Sequence, residues 1–520
     1  MSSSLFKGIV IFILLIALAF VVGSLAADGA KSALVPIALI CGFFGILLLG
    51  KHCWVLAFAL PPLVNMLEIS IVQNFPVGYI VSGFLLVYWL LMWVMGYVKV
   101  TWNSIPILDI FTFIFVAYFL STWVRHPVLL NVLVNEITYE GDAIVGGKEY
   151  VWGVAGSICY IYLSILKVDY QKVTKLLKIV FWISLPMVLL NAVKIALLGG
   201  SGGEEGLEAA ESHRFGALVG IGNTIYNFLL CKYGIIGIVC SPIKLFLLCF
   251  GGFCVALSGF RTDMLTCALV MFVTQYLHRQ LLVALIPLFA GYLLMVYLAE
   301  QQLLTSLPYG VKRVLSSLPG LDEIDKNATL NAEGSLNWRY VLWDLAMNPS
   351  AGYIRDYVWG DGFGQSSREI KQYFLLRGRG EVDSEMEHLQ YARQGMWHSG
   401  YLTAIHRIGY VGLVMIIIWT LGFLSVMSRL FVGIARTKNC EYVYYFILSM
   451  SARQFVGFYF SGGTILSIFN LFFPVALAKL LYCLAIKEGY ITPLLQRKLY
   501  VPLMLREEAA EGKEASNLAS

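Results

Sequence analysis

Charged side chains are scarce in this 520-residue chain: they make up 13% of it, against 59% hydrophobic residues. That shortage excludes a soluble globular domain, which needs far more polar surface to face water. The charge that is present does not cluster. There is no Lys/Arg-rich run, and the formal net charge of +5 is spread among short connections, so nothing points to nucleic acid. A P-loop, a dinucleotide-binding glycine fingerprint and Cys/His spacings of the zinc type are also missing, which removes common nucleotide- and metal-dependent chemistries. The ten cysteines lie almost entirely in or beside apolar segments, and none falls in the polar stretch 300–400. They read as small buried hydrophobes, with no disulfide framework and no metal set. No internal repeat is evident.

What is there is a series of apolar runs. About fourteen are long enough to cross a bilayer, near 8–27, 33–50, 53–69, 78–98, 105–124, 150–168, 174–199, 215–233, 240–259, 262–278, 280–299, 401–430, 441–459 and 463–486. The expected fold is therefore an all-α polytopic membrane protein with one large, partly helical extramembrane loop. The first run follows Lys7 and ends in Gly23-Ser-Leu-Ala-Ala, the outline of a cleavable signal; the charge pattern works with it retained as a span. The run Tyr401–Leu430 is too long for one crossing, so its first turns, including His406 and Arg407, are expected to stand above the membrane.

Lys and Arg in short loops set the orientation. Alternate connections carry Lys51; Lys99; Lys167, Lys172 and Lys175; Lys232 and Lys244; Arg279; then Arg429, Arg436 and Lys438, with Lys487, Arg497 and Lys498 in the tail. That side is expected to be cytoplasmic, with both termini. The opposite side, periplasmic in a bacterium, receives 125–149, the Gly/Glu-rich loop 200–214, the turn at Arg261 and the segment 300–400. The chain divides into N-terminal spans (1–200), spans with the Arg-containing turn (201–299), the cap loop (300–400), C-terminal spans (401–487) and a polar tail (488–520).

Four features fall on that opposite face. The first is Met396–Gly412, where at 100° per residue His398, Leu402, Ile405, Gly409 and Gly412 share one stripe of a single helix. The Gly-x-x-Gly spacing would let that stripe press on a neighbouring helix and fix the direction of His398. The second is Ser258-Gly-Phe-Arg261-Thr-Asp-Met-Leu265, with Arg261 in a tight turn. The third is Arg214, which opens the span that carries Asn223. The fourth is Arg339 in Asn337-Trp-Arg-Tyr-Val-Leu-Trp343, followed by Pro349 and Gly360-Asp-Gly362-Phe-Gly364. Each has an ordinary role open to it. Terminal arginines snorkel to head groups, Arg339 can serve an ordinary ion pair, His398 can be a satisfied interfacial histidine, and the glycines can mark only a turn. His406, eight residues after His398, falls off the stripe and receives no role.

Arg261 followed by Leu265, then a large loop, then His398-Ser399 with nine residues to Gly409 and then Gly412, resembles the O-antigen ligase superfamily of bacterial membrane glycosyltransferases. Arg339, Trp343, Pro349 and Gly362-Phe-Gly364 are similar, more loosely, to that family's loop pattern, and Arg214 with Gly222-Asn223 to its Arg/Gly-Asn element. The resemblance covers about 210–430. It implies a polyprenyl-sugar glycosyltransferase fold that moves a glycan from undecaprenyl diphosphate to a hydroxyl acceptor on the outer face, without a metal or other cofactor. Arg261 and Arg339, with Arg214, would bind the diphosphate, because guanidinium groups pair bidentately with phosphate oxygens. His398 would be the general base or a diphosphate ligand, imidazole being suited to proton transfer near neutral pH. The acceptor would be lipid A core, a growing lipid-linked glycan or a protein hydroxyl, and membrane lipids would surround the spans. Phe260 stands where the family often has a small hydroxyl residue, and Asp263 lies close enough in sequence to neutralise Arg261. A flippase or exporter of lipid-linked oligosaccharide is the competing class; it would call for ionisable groups deep in the spans, which the sequence shows sparsely.

Overall fold

The computed structural model describes residues 102–130, 144–182, 216–366 and 389–491, apart from 147, 317, 322–323, 390, 394, 437–439 and 461–465, and isolated residues between 86 and 96. The expected spans 8–27, 33–50 and 53–69, nearly all of 78–98, residues 183–199, Arg214 and the tail beyond 491 lie outside the described residues.

Within them the apolar runs are helices: α1 Pro106–Arg125, α2 Lys148–Ile165, a helical stretch at 170–182, α3 Gly216–Val239, α4 Pro242–Leu257, α5 Arg261–Leu277 and α6 Leu281–Glu300. After them come α7 Tyr309–Leu315, α8 Lys326–Met347, α9 Gly400–Arg436, α10 Tyr442–Phe460, α11 Leu466–Phe469 and α12 Phe472–Lys487. Proline opens α1 and α4, where its missing amide is not needed and its fixed φ suits a first turn. Asp325 caps α8, accepting from the amides of Asn327 and Ala328 at 3.0 and 3.1 Å. Three short strands, β1 Leu129–Leu130, β2 Ile144–Gly146 and β3 Gly364–Ser366, form a small sheet in that order; β1 runs parallel to β2, and β2 pairs antiparallel with β3 with Gly146 opposite Gly364.

Three described helices are long and apolar enough to cross a membrane: Pro106–Arg125, Leu281–Glu300 and Gly400–Ile434. The open faces of α4 and α6 are also apolar, with Ile243, Phe246, Leu282, Ile286 and Phe289 all strongly exposed. A water-facing surface does not look like this, whereas a lipid-facing one does.

Contacts divide the bundle into two ends. At one, the first residue of α9, Gly400, abuts the Phe458 carbonyl near the end of α10. There too Gly310 of α7 packs over the turn between α4 and α5, where an added β-carbon would lie 2.5 Å from the Leu257 carbonyl oxygen. A second apolar core, Ala256, Leu304, Val311, Leu315, Leu321 and Ile324, fastens the segment after α6 onto these helix ends. At the other end His278 stacks edgewise on Tyr445 at 4.6 Å, and the Gln280 side chain accepts from the Ile236 amide at 3.0 Å.

The structure corrects three expectations. The run 463–486 is not one helix, since α11 and α12 are separate. Charge is not confined to helix ends: Lys479 of α12 meets Asp109 of α1 with the lysine side chain fully buried, and Arg453 of α10 meets Asp263 of α5 at 3.3 Å. Finally, α9 is broken at Gly409, whose φ of 70° and ψ of 178° are not helical.

Candidate functional site

The break in α9 organises the site. Where a helix is interrupted, backbone groups lose their i→i+4 partners. Here the segment 357–362 supplies them. The Asp361 and Gly362 amides donate to the His406 and Arg407 carbonyls at 2.7 and 3.0 Å, and the Tyr410 and Val411 amides donate to the Tyr357 and Val358 carbonyls at 2.8 and 3.2 Å. Close approach of two backbones demands glycine on both sides. A β-carbon on Gly409 would collide with the Val358 carbonyl, and one on Gly360 would lie 2.5 Å from the Gly409 nitrogen. The α1 side closes over the same place: Tyr118 donates to the Ile408 carbonyl at 2.6 Å, and Arg125 to the Trp359 carbonyl at 3.1 Å.

His398 is therefore not on a helical stripe with Gly409 and Gly412. It stands before α9 with φ of 47°, in the left-handed region that non-glycine residues rarely occupy. A β-carbon on Gly412 would meet the Ile408 side chain of its own helix at 2.5 Å, and the Gly412 backbone hydrogen-bonds Tyr118 of α1. Ser399 precedes the helix, and its carbonyl accepts the Thr403 amide at 2.9 Å.

The side chain of His398 packs against two aromatic rings, Trp338 at 5.1 Å and Tyr391 at 5.3 Å between centroids, which also touch each other at 5.1 Å. Trp338 comes from α8, and so does Arg339. Burial, and then the Arg339 charge nearby, push the His398 imidazole down to about 4, so it is neutral at neutral pH. Trp343, one turn beyond Arg339, donates its indole N–H to the Trp397 carbonyl at 2.9 Å and so fastens α8 to the His398 turn. Two residues distant in the sequence, Arg339 and His398, are thus brought together by one helix of the cap.

Arg261 is the first residue of α5, after Gly259 with φ of 74°. The Ser258 hydroxyl accepts the Phe260 amide at 3.3 Å and shapes the turn. Asp263, two residues into α5 from Arg261, pairs with Arg453 of α10 at 3.3 Å. Since Arg453 and Phe458 share α10 and Phe458 touches Gly400, the Arg261 turn lies at the same end of the bundle as His398. Leu265 is 54% exposed and packs no core. Gly362 has φ of 76° and lies against the His126 side chain, while Gly364 opens β3.

Several residues here were not legible from spacing. His406 is buried, accepts the Trp397 indole N–H at 3.0 Å on Nδ1, and has Nε2 3.5 Å from the Asp361 carboxylate. Arg407, also buried, donates to the Gly362 carbonyl at 3.0 Å. Arg453 announces itself only as a charge inside an apolar run. Deeper in, Asn223 accepts from the Cys267 thiol at 3.1 Å, and its amide nitrogen is buried without a partner among the described residues.

A neutral imidazole beside a guanidinium can take a proton while the cation holds an anion. No family model, no curated protein and no solved structure matches this chain.

Proposed function

We propose that the chain is a membrane glycosyltransferase of the O-antigen ligase kind, moving a glycan from undecaprenyl diphosphate to a hydroxyl acceptor. The observation that carries this is the meeting of His398 with Arg339 beside the Trp338 and Tyr391 rings, at the bundle end that also holds the Arg261 turn. Arg339 and Arg261, with Arg214, bind the donor diphosphate, and the guanidinium groups do the charge stabilisation that a divalent cation does elsewhere. His398 takes the acceptor's hydroxyl proton. The acceptor oxygen then bonds the anomeric carbon while the bond from that carbon to the diphosphate breaks, its electron pair leaving with the lipid diphosphate. The low proton affinity of His398 in the free protein fits this scheme, because a bound diphosphate offsets the Arg339 charge and raises the basicity of the imidazole as the donor arrives.

In this reading the chain crosses the bacterial inner membrane about fourteen times, with both termini cytoplasmic and the site periplasmic. Lys232, Lys244 and Arg279, all in the contacts of the opposite bundle end or its connections, agree with that orientation. Ligation to lipid A core is favoured, with exopolysaccharide polymerisation next.

One observation favours a second reading, an exporter or flippase of lipid-linked oligosaccharide. Lys479 is a charge midway along a helix of the bundle, paired with Asp109 in the first turn of α1, and charges within spans are what transport sites require. Against it, every contact of that pair is satisfied within the protein: Tyr160, Trp102, Ser104 and the Ile105 amide reach Asp109, and Lys479 also donates to Ser164.

The test is transfer in vitro by the purified protein from an undecaprenyl-diphosphate donor, with and without excess EDTA, beside the glycan that accumulates in a deletion strain. Transfer that survives chelation, with unligated long chains accumulating, supports a ligase; single repeat units indicate a polymerase. A donor trapped on the inner leaflet, with no transfer in vitro, overturns the enzyme reading in favour of the exporter.

A further inference from the structure

His406 has the chemistry of an active-site histidine and the burial of a core residue. Its side chain is 7% exposed, so no substrate reaches it. Its Nδ1 accepts from the Trp397 indole, which fixes the ring proton on Nε2, and Nε2 faces Asp361. Asp361 is itself held: its carboxylate accepts from the Arg355 and Asp356 amides at 2.8 and 2.9 Å. The chain of contacts runs from the loop that fills the break in α9, through Asp361 and His406, to the residue immediately before His398.

We propose that His406 is a positioning residue, holding the turn 395–398 so that His398 faces Arg339. The inference rests on the reading of His398 as the acting group. Two facts make the hold necessary. The positive φ of His398 is a conformation that the residue does not favour by itself and that surrounding contacts must impose. Trp397, fully buried, is the residue those contacts grip: its indole is tied to His406, and its carbonyl to Trp343. The turn also fits His406 closely at that same nitrogen, since a β-carbon on Gly395 would lie 2.7 Å from Nδ1. Releasing the indole lets residues 395–398 relax toward ordinary backbone angles, which carries the imidazole away from Arg339 and off the Trp338 and Tyr391 rings.

Three variants of the full-length protein in nanodiscs separate this role from bulk packing. His406→Leu removes both polar contacts. Trp397→Phe deletes the indole N–H alone. His406→Asn keeps an acceptor near the place of Nδ1. The readouts are the rate at which diethyl pyrocarbonate modifies His398, mapped by peptide mass spectrometry, and the kinetics of glycan transfer from the undecaprenyl-diphosphate donor. We expect the Leu and Phe variants to raise His398 modification about tenfold and lower kcat about tenfold, with donor KM within about threefold of wild type. The Asn variant restores most of both. Unchanged His398 modification in Trp397→Phe and His406→Leu, or an Asn variant as impaired as the Leu variant, overturns the proposal. Should wild-type protein transfer no glycan, the functional reading falls by itself, and the modification rates still decide whether His406 holds the turn.

Discussion

Lys479 reaches Asp109 across the bundle, from α12 to α1, with the lysine side chain wholly closed to solvent. The ammonium also lies over the Trp102 and Tyr160 rings, at 4.5 and 4.7 Å. Removing one member of such a pair strands a charge in an apolar interior, which costs about 3–5 kcal/mol. Lys479→Met and Asp109→Asn are each expected to lower the thermal unfolding midpoint of the purified protein markedly, and Asp109→Leu combined with Lys479→Met to recover much of the loss. Single variants as stable as wild type would show that the pair is not structural and would strengthen the exporter reading.

Substitution at the break in α9 tests how tightly the inserted segment fits. Gly409→Ala adds a methyl group against the Val358 carbonyl at a positive φ, and the backbone conformation alone costs about 1–3 kcal/mol. Lower stability, read by fluorescence-detected size exclusion after heating, is the expected result. Gly422→Ala in the same helix meets only an ordinary contact, Leu108 at 3.8 Å, and should stabilise by up to about 1 kcal/mol.

The pH dependence of transfer carries a sign. Burial and Arg339 hold the free His398 imidazole down to about 4, so the acid limb of kcat/KM lies well below the usual histidine range. A bound diphosphate offsets Arg339 and raises the proton affinity, so the acid limb of kcat falls at higher pH than that of kcat/KM. Arg339→Gln removes the opposing charge and shifts the kcat/KM limb upward, besides weakening donor binding. Coincident limbs in wild type and variant would mean that Arg339 does not act on His398.

His398→Ala and Arg261→Ala are each expected to abolish product, a loss of at least about 100-fold, while the protein remains in the membrane. Immunoblots of membrane fractions beside the transfer assay check both halves. Full activity in either variant would remove that residue from the mechanism.

Much of the helical layout is written in the apolar runs, because a segment such as Pro106–Arg125 has the length and composition that a bilayer selects. The companionship of Arg339 and His398 was an expectation that only the fold of the cap could realise, through Trp343 and Trp397. The role of Gly409 is not legible in the sequence for a physical reason. A Gly-x-x-Gly spacing describes equally a helix face that admits a neighbouring helix and a helix interrupted to admit a strand of loop, and the φ that separates them is not visible in the letters. The same break erases the stripe that left His406 without a role. Asp109–Lys479 and Asp263–Arg453 are not legible in the sequence because each partner alone reads as a lone charge, the aspartates in first turns and Lys479 and Arg453 within apolar runs, and pairing across the bundle is a tertiary fact.

Four of the bonds that seat residues 357–362 in the gap of α9 are made by main-chain atoms on both sides. Evolution is therefore freer to vary the Val358 side chain, 50% exposed, than Trp359, whose ring meets Tyr118 and the Arg125 guanidinium. Relatives of this chain should drift at position 358 while keeping glycine at 360 and 409.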